Sequence, residues 1–242
     1  YAATAITAIT VQNTLGVQAV HPVPAELVGE QMQAVMEDLR PDAIKIGMTG
    51  NVEIISEIAR LLHQYSPRQV VLDPVMVSTS GHNLMTDEAV EAICTLLLPE
   101  VSLVTPNLHE AAVLLQQPIH TVDDMEHAAH LVYEKYHCAC LVKGGHLTGN
   151  EMCDVLYDGH ELHLFGARRI HSGNLHGTGC TLSSAIATFL AQGFPLYEAV
   201  ELAKTYITKA IEAGKDLHIG QGNGPLCHFP YLVNPVNPLT EE

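Results

Sequence analysis

The sequence contains no tryptophan, and aromatic residues make up only 5 % of its 242 positions. Positive charge is scarce too: 11 Lys and Arg stand against 27 Asp and Glu, a formal net charge of −16 at pH 7. A surface of that sign repels phosphate backbones, which argues against nucleic acid as a partner. An anionic ligand must then be met by local devices: backbone amides, a metal ion or one well-placed lysine. Charged residues amount to only 16 % while hydrophobic ones reach 47 %, a balance that excludes a disordered chain. No apolar run is long enough to span a bilayer and no secretory h-region is visible, so no membrane partner is expected and the cytoplasm is the expected compartment. Six cysteines in a chain of this length are weak grounds for disulfides.

Several signatures are missing as well. Neither GxGxxG nor GxxxxGK[ST] occurs, which argues against a Rossmann dehydrogenase and a Walker P-loop. The fifteen histidines show no HExxH spacing, and Cys138 and Cys140 are separated by one residue, so structural zinc is not expected. His127 and His130 are expected on the surface of a helix.

What is present is an alternation of element types. "AATAITAITV" reads as a buried strand, "DAIKIGM" as a short strand, and "QVVLDPVM" and "VSLVTPN" as strands ended by proline. Between them lie amphipathic helices. In "PAELVGEQMQAVMEDL", Leu27, Met32, Val35, Met36 and Leu39 share one face. In "NVEIISEIARLLHQY", Asn51 is the expected N-cap. "CACLVKGGH" is a strand running into a glycine turn, and "EMCDVLYDGHELHLFGARRI" alternates about Asp158-Gly159 as a hairpin does. Strand and helix in turn, with short connections, predict βαβ units and a mostly parallel sheet flanked by helices, with an antiparallel edge hairpin. No internal repeat or linker divides residues 1–242, so one domain is expected, with a loose tail from about residue 230. The chain opens at Tyr1, directly into what reads as the inside of a domain, so a preceding segment is expected.

Ligand sites in such folds form at the carboxyl ends of the strands. In "HGTGC", Gly177 and Gly179 allow the backbone to turn its N–H groups inward, and a helix beginning at about Cys180 adds its own free amides and dipole. The combination is an anion hole suited to a phosphoryl group. A helix N-terminus also lowers a thiol's pKa, so Cys180 is expected to ionise near neutral pH and to take a proton from a hydroxyl. A glycine-capped helix carrying a small buried cysteine would leave the same pattern. "TPNLHEA" places Glu110 three residues after Asn107, which suits either a capping box or a water-mediated Mg²⁺ site. Lys143 in "LVKGGH" can meet a phosphate or lie exposed in a turn. Asp73 in "VLDPVM" can hold a metal or cap the next segment, and residues Ser78, Thr79, Ser80 and Gly81 form a polar loop.

Taken in order, "AITAITVQNTLGV", "KIGM", "VLDPVMVSTSG", "VSLVTPNLHEA", "VKGGH", "NLHGTGCTLSSAIA" and "GQGNGPLCHF" resemble the hydroxymethylpyrimidine/phosphomethylpyrimidine kinases of the ribokinase-like superfamily. The resemblance implies a three-layer ribokinase-like fold and phosphorylation of 4-amino-5-hydroxymethyl-2-methylpyrimidine, then of its monophosphate, in thiamine biosynthesis. ATP would be the co-substrate and Mg²⁺ the cofactor, with room for a monovalent cation, in a homodimer. It implies Cys180 as the base and Gly177, Thr178 and Gly179 as the anion hole. Lys143, Asn107 and Thr178 would meet ATP phosphates, and Glu110 and Asp73 the metal. Gln12, Met48 and Val75 would line the pyrimidine site, and an amide suits an aminopyrimidine because it both donates and accepts. Relatives begin with a strand and a "GSDxSGGAG" segment that precedes Tyr1, and many carry Lys where this chain has Thr79. Three alternatives stay open on the sequence: a pyridoxal/pyridoxine kinase on the same scaffold, a non-catalytic vitamin-precursor binding protein, and a plain ATP hydrolase.

Overall fold

The computed structural model describes residues 1–76, 85–145 and 151–231. The loop of Ser78 to Gly81, with Thr79, lies outside the described residues, as does the tail beyond Tyr231. Six strands form the main sheet in sequence order: β3 (Ile44–Ile46), β4 (Val70–Leu72), β5 (Leu103–Val104), β6 (Ala139–Val142), β7 (Glu151–Tyr157) and β8 (Leu162–Arg168). The first four run parallel, and β7 and β8 add the antiparallel edge hairpin that the alternation about Asp158 predicts.

Side-chain alternation divides the core between the two faces of this sheet. Val70, Leu72, Val104, Cys140, Val142 and Val155 point to one face. There they meet α1 (Ala25–Asp38), α2 (Val52–Tyr65), α3 (Asp87–Ala92), α4 (Leu108–Leu115) and α5 (Val122–Tyr136). Val71, Leu103, Ala139, Leu141 and Leu156 point to the other, covered by α6 (Thr178–Ala191) and α7 (Leu196–Gly214). Strands buried on both faces need unbroken apolar runs, which is why "VVL" and "ACLV" read as they do. Helix α2 shows how local signals start and stop an element. Asn51 Oδ1 accepts from the Ile54 amide at 3.0 Å, and Ser66 ends the helix in the left-handed region at φ 45°. Its inner face buries Ile54, Ile55, Ile58, Leu61 and Leu62, each contributing about 1.5–3 kcal/mol.

Three expectations fail on burial. Residues 1–7 are not a strand, and β1 (Ala8–Asn13) is exposed, with Ile9 at 61 %. Among the described residues it pairs only with β2 (Gly16–Pro22), in a separate antiparallel ribbon, and no second layer among them buries its apolar residues. On α1 the buried face is Val28, Gly29, Met32 and Met36, whereas Leu27 and Leu39 face solvent, because the stripe turned toward α2 is narrower than the apolar composition suggests. His127 is exposed as expected, but His130 is half-buried, its ring 3.8 Å from that of Tyr157.

A buried ion pair joins α7 to the sheet. Lys204 Nζ on α7 donates to Asp154 Oδ2 on β7 at 2.6 Å, and Asp154 Oδ1 accepts from the Gly144 amide at 2.8 Å. Asp154 thereby fixes the turn that follows β6, and that turn follows Lys143. No helix among the described residues is long and apolar enough to cross a membrane.

Candidate active site

Parallel strands bring their carboxyl ends side by side, and the chain leaves each with a polar residue there. Asp73 follows β4, Thr105 and Asn107 follow β5, and Lys143 follows β6. The ladder carries on into the loops: the Asp73 amide donates to Ile46 O at 2.9 Å, that of Thr105 to Leu72 O at 2.9 Å, and that of Lys143 to Pro106 O at 2.8 Å. Lys143 Nζ donates to Asp73 Oδ1 at 2.7 Å and stands 4.0 Å from Glu110 Oε2. Asp73 is 2 % and Glu110 4 % exposed, so this is a buried carboxylate–ammonium–carboxylate cluster. Burial pulls the Lys143 pKa down, but Asp73 and Glu110 outweigh it and hold the ammonium charged above its usual range.

The capping-box reading of "TPNLHEA" holds. Asn107 Oδ1 accepts from the Glu110 amide at 2.9 Å, and Glu110 Oε2 accepts from the Asn107 amide at 2.8 Å, a complete capping box. The same carboxylate faces Lys143. Burial raises the Glu110 pKa despite Lys143 and the Asn107 amide, and Asp73 adds to the rise.

Helix α6 enters across this cluster with its N-terminus foremost. Gly177 caps it at φ 82°, which only glycine adopts at little cost, and the first helical residue is Thr178, two earlier than expected. Among the described residues the amides of Gly177, Gly179 and Cys180 have no acceptor, as an anion hole requires. Thr178 departs from the expectation: its amide and its Oγ1 both donate to Leu175 O, at 3.2 and 2.7 Å, so it braces the turn from behind. A Cβ on Gly179 would lie 3.3 Å from Lys143 Nζ and 3.6 Å from Asp73 Oδ2, so the bare backbone lets the helix end approach the cluster. Ser183, one turn on, donates to Asp73 Oδ2 at 3.4 Å.

Cys180 is an exposed residue on the first turn of α6, but its thiol is turned toward the cluster and partly desolvated. The helix N-terminus does not lower the thiol's pKa as expected. Desolvation by the surrounding cleft pushes it above the usual cysteine range, Lys45 opposes that, Asp73 reinforces it, and Lys143 pulls it down. The sequence shows the helix dipole but neither the desolvation nor the facing carboxylate.

The residues expected to line a pyrimidine pocket lie around the same strand ends. Met48 follows β3 and is half-buried, its carbonyl accepting from Thr7 Oγ1 at 2.6 Å. Val75 is half-buried beyond Asp73, its amide donating to Asp73 O at 2.8 Å. Gln12 lies exposed on the ribbon, with Nε2 2.8 Å from His176 Nε2, beside the cap of α6. Lys45 was not among the expected residues. It lies in β3 opposite Val71, on the sheet face that α6 covers, and its ammonium sits 2.6 Å from where a Gly47 Cβ would be. Among the described residues it has no ion-pair partner. A lysine inside an apolar parallel strand, "AIKIGM", was the signal available for it.

The phosphomethylpyrimidine kinase family matches residues 1–227. The chain belongs to this family. It is similar to the hydroxymethylpyrimidine/phosphomethylpyrimidine kinase of Rhizobium meliloti (strain 1021), 50 % identical over 230 residues, 95 % of this chain and 86 % of that one. It is also similar to the thiamine biosynthesis bifunctional protein ThiED of Geobacter sulfurreducens, 45 % identical over 229 residues. There it spans 95 % of its own length but only 46 % of the larger protein. Among solved structures, the ADP complex of Bacillus subtilis pyridoxal kinase superposes with a TM-score of 0.84 at 31 % identity, covering 93 % of this chain and 85 % of that one. The ribokinase-like α/β fold expected from the motifs is therefore the fold of the chain.

The donor set fits Mg²⁺. Hard carboxylate oxygens of Asp73 and Glu110 share one buried spot, and Glu110 is left poorly compensated by burial. Mg²⁺ is an ion that takes one or two carboxylates and completes its shell with water and phosphate.

A consequence for Glu110 can be measured. A carboxyl whose folded pKa is raised loses stability as pH climbs from its unfolded pKa to its folded one, and carries that penalty at neutral pH. Glu110→Gln keeps an oxygen for the Asn107 amide and removes the charge. Its unfolding midpoint at neutral pH is expected to rise by the equivalent of about 0.5–2 kcal/mol, with the gain fading as pH falls. Thermal melts at two pH values check this, and a lower midpoint at neutral pH contradicts it.

Proposed function

We propose that the chain transfers the γ-phosphate of ATP to the hydroxymethyl group of 4-amino-5-hydroxymethyl-2-methylpyrimidine, and then a second phosphate to the monophosphate, in thiamine biosynthesis. The observation that carries this reading is the convergence of three unbonded amides, one sulfur and the Asp73–Lys143–Glu110 cluster at one end of the sheet, in a chain of this family.

The placement supports the following roles. Gln12, Met48 and Val75 hold the pyrimidine with its hydroxymethyl toward Cys180. Lys143 and Asn107 stand on the side of the ATP phosphates, with Thr178 bracing the turn. Asp73 and Glu110 hold Mg²⁺, which when bound neutralises the charge of the ATP phosphates. In the first transfer the Cys180 thiol first gives its proton to solvent, and the alcohol proton then passes to the resulting thiolate sulfur. The alcohol oxygen bonds to the γ-phosphorus, the bond from that phosphorus to its bridging oxygen breaks, and ADP leaves. The amides of Gly177, Gly179 and Cys180 meet the equatorial oxygens, where charge is spread in the transition state. Residues 1–242 act as one kinase unit in the cytoplasm. The exposed apolar ribbon of β1 and β2 is the surface through which a homodimer forms, since Ile9 and Val11 are 61 % and 46 % exposed.

The test is to incubate the full-length protein with Mg-ATP and the hydroxymethylpyrimidine, or with pyridoxal, and to follow products by mass spectrometry. Mono- and diphosphate from the pyrimidine support the proposal. A kcat/KM that favours pyridoxal transfers the assignment to the function of its structural neighbour. ADP release independent of either alcohol makes the chain an ATP hydrolase, and tight pyrimidine binding without turnover makes it a binding protein.

A further inference from the structure

Gln12 sits at a bulge, where the register of β1 against β2 shifts between Val11 and Gln12. Bulges re-aim side chains, and here the amide is turned to a residue 164 positions away: its Nε2 lies 2.8 Å from His176 Nε2. An amide nitrogen only donates, so the imidazole nitrogen accepts and the ring proton lies on Nδ1.

Both ends of this bond are held by one loop, residues 220–225. On the ribbon side the Asn223 amide donates to Thr14 O at 2.8 Å, and the Gln221 and Gly222 amides donate to Thr14 Oγ1 at 3.2 and 3.3 Å. A Cβ on Gly222 would lie 2.1 Å from Thr14 O, so the contact requires glycine. On the other side the His176 amide donates to Gly224 O at 3.1 Å, and His176 bridges to Pro225. His176 also immediately precedes Gly177, the cap of α6. The ribbon that carries Gln12 and the turn that carries the free amides are thus fixed to each other.

We propose that His176 is a specificity-determining residue: by accepting one N–H of Gln12 it fixes which way round the amide presents its oxygen and its second N–H to the substrate ring. This rests on the reading that Gln12 meets the pyrimidine. The two flips of a carboxamide have nearly the same shape and opposite hydrogen-bonding order. An aminopyrimidine edge offers an acceptor ring nitrogen beside a donor amino group, so it matches one flip only. With Nε2 tied to His176, the remaining N–H and the carbonyl oxygen stand in a set order. A ring that lacks the amino group gains little from that order, so His176 acts on the difference between the two rings rather than on phosphoryl transfer.

The experiment measures Kd by calorimetry for the hydroxymethylpyrimidine and for its analogue with hydrogen in place of the amino group, on wild type, His176→Phe and His176→Asn. His176→Phe keeps a flat ring and removes the acceptor. Its affinity for the aminopyrimidine is expected to fall about tenfold, the size of one hydrogen bond to a substrate. Affinity for the analogue and KM for ATP should change by less than about twofold on the same grounds. His176→Asn offers an acceptor oxygen and recovers part of the loss. Equal losses for both rings in both variants would mean that His176 only supports the turn, and no loss would mean that Gln12 is oriented without it; either result overturns the proposal. A wild type that binds neither ring overturns the pyrimidine reading itself. If Gln12→Ala abolishes the preference for the amino group while His176→Phe leaves it intact, that reading stands and the role of His176 falls.

Discussion

Cys180→Ala is expected to lower kcat for phosphorylation of the hydroxymethylpyrimidine by about 10²–10⁴-fold, the usual contribution of a general base. KM for ATP should stay nearly constant, since no phosphate contact is assigned to the sulfur. The loss should also depend on the acceptor. An alcohol must give up its proton as its oxygen attacks, and Cys180 is the group assigned to take it, on the first turn of α6 beside the free amides. A phosphomonoester, with a second pKa of about 6, is already largely ionised at neutral pH and attacks without a base. The second phosphorylation, starting from the monophosphate, should therefore fall much less than the first. Single-turnover measurements on the two acceptors separate the steps. Equal losses on both would assign Cys180 to shaping the anion hole, and wild-type rates on the alcohol would remove the sulfur from proton transfer.

The position of the thiol sharpens this expectation. Its raised pKa makes it a poor acid and, once deprotonated, a strong base, with the ammonium groups of Lys45 and Lys143 lowering the cost of deprotonation. Cys180→Ser places a much weaker acid at the same site and is expected to lose about as much as Cys180→Ala, within the same range.

Much of this architecture was legible in the sequence because it rests on local rules. Apolar runs such as "VVL" mark strands covered on both faces, Asn51 and Asn107 mark helix starts, and glycines mark the turn before α6. What stayed hidden depends on residues brought together from far apart. The ribbon strand β1 looked like core because its composition is apolar, but burial requires a covering layer, and no pattern within residues 1–10 says whether one exists. The ionisation of Cys180 was misjudged because its neighbours Asp73 and Lys45 lie on other strands. Lys143 looked like a turn lysine, yet it is clamped by carboxylates 70 and 33 positions away. Nothing in the "HGTGC" motif marks a role for His176, because its partner Gln12 lies on the ribbon.

The clamp around Lys143 leads to the second large effect. Lys143→Met is expected to destabilise the protein by about 3–5 kcal/mol, because it leaves buried carboxylates without their counter-charge. The side chain of Lys143 is 14 % exposed and that of Asp73 3 %, so water cannot take over the ammonium's part. For a chain of this size each kcal/mol lowers the midpoint by about 2–4 °C. Two controls tie the loss to charge rather than to packing. First, an ion that binds the folded carboxylates and not the unfolded chain stabilises by mass action, and Mg²⁺ is expected to do so here. The variant, with two uncompensated carboxylates, should gain more in midpoint from added Mg²⁺ than the wild type does. Second, Glu110→Gln removes one of the two stranded charges, and in the Lys143→Met background it should recover more stability than it adds to the wild type. Residues in one ion-pair network are not additive, so the double-mutant cycle should show that coupling directly. If Mg²⁺ raises both midpoints equally and the two substitutions add, Lys143 supports the strand end through its aliphatic stem, and Asp73 and Glu110 do not act together as a metal site.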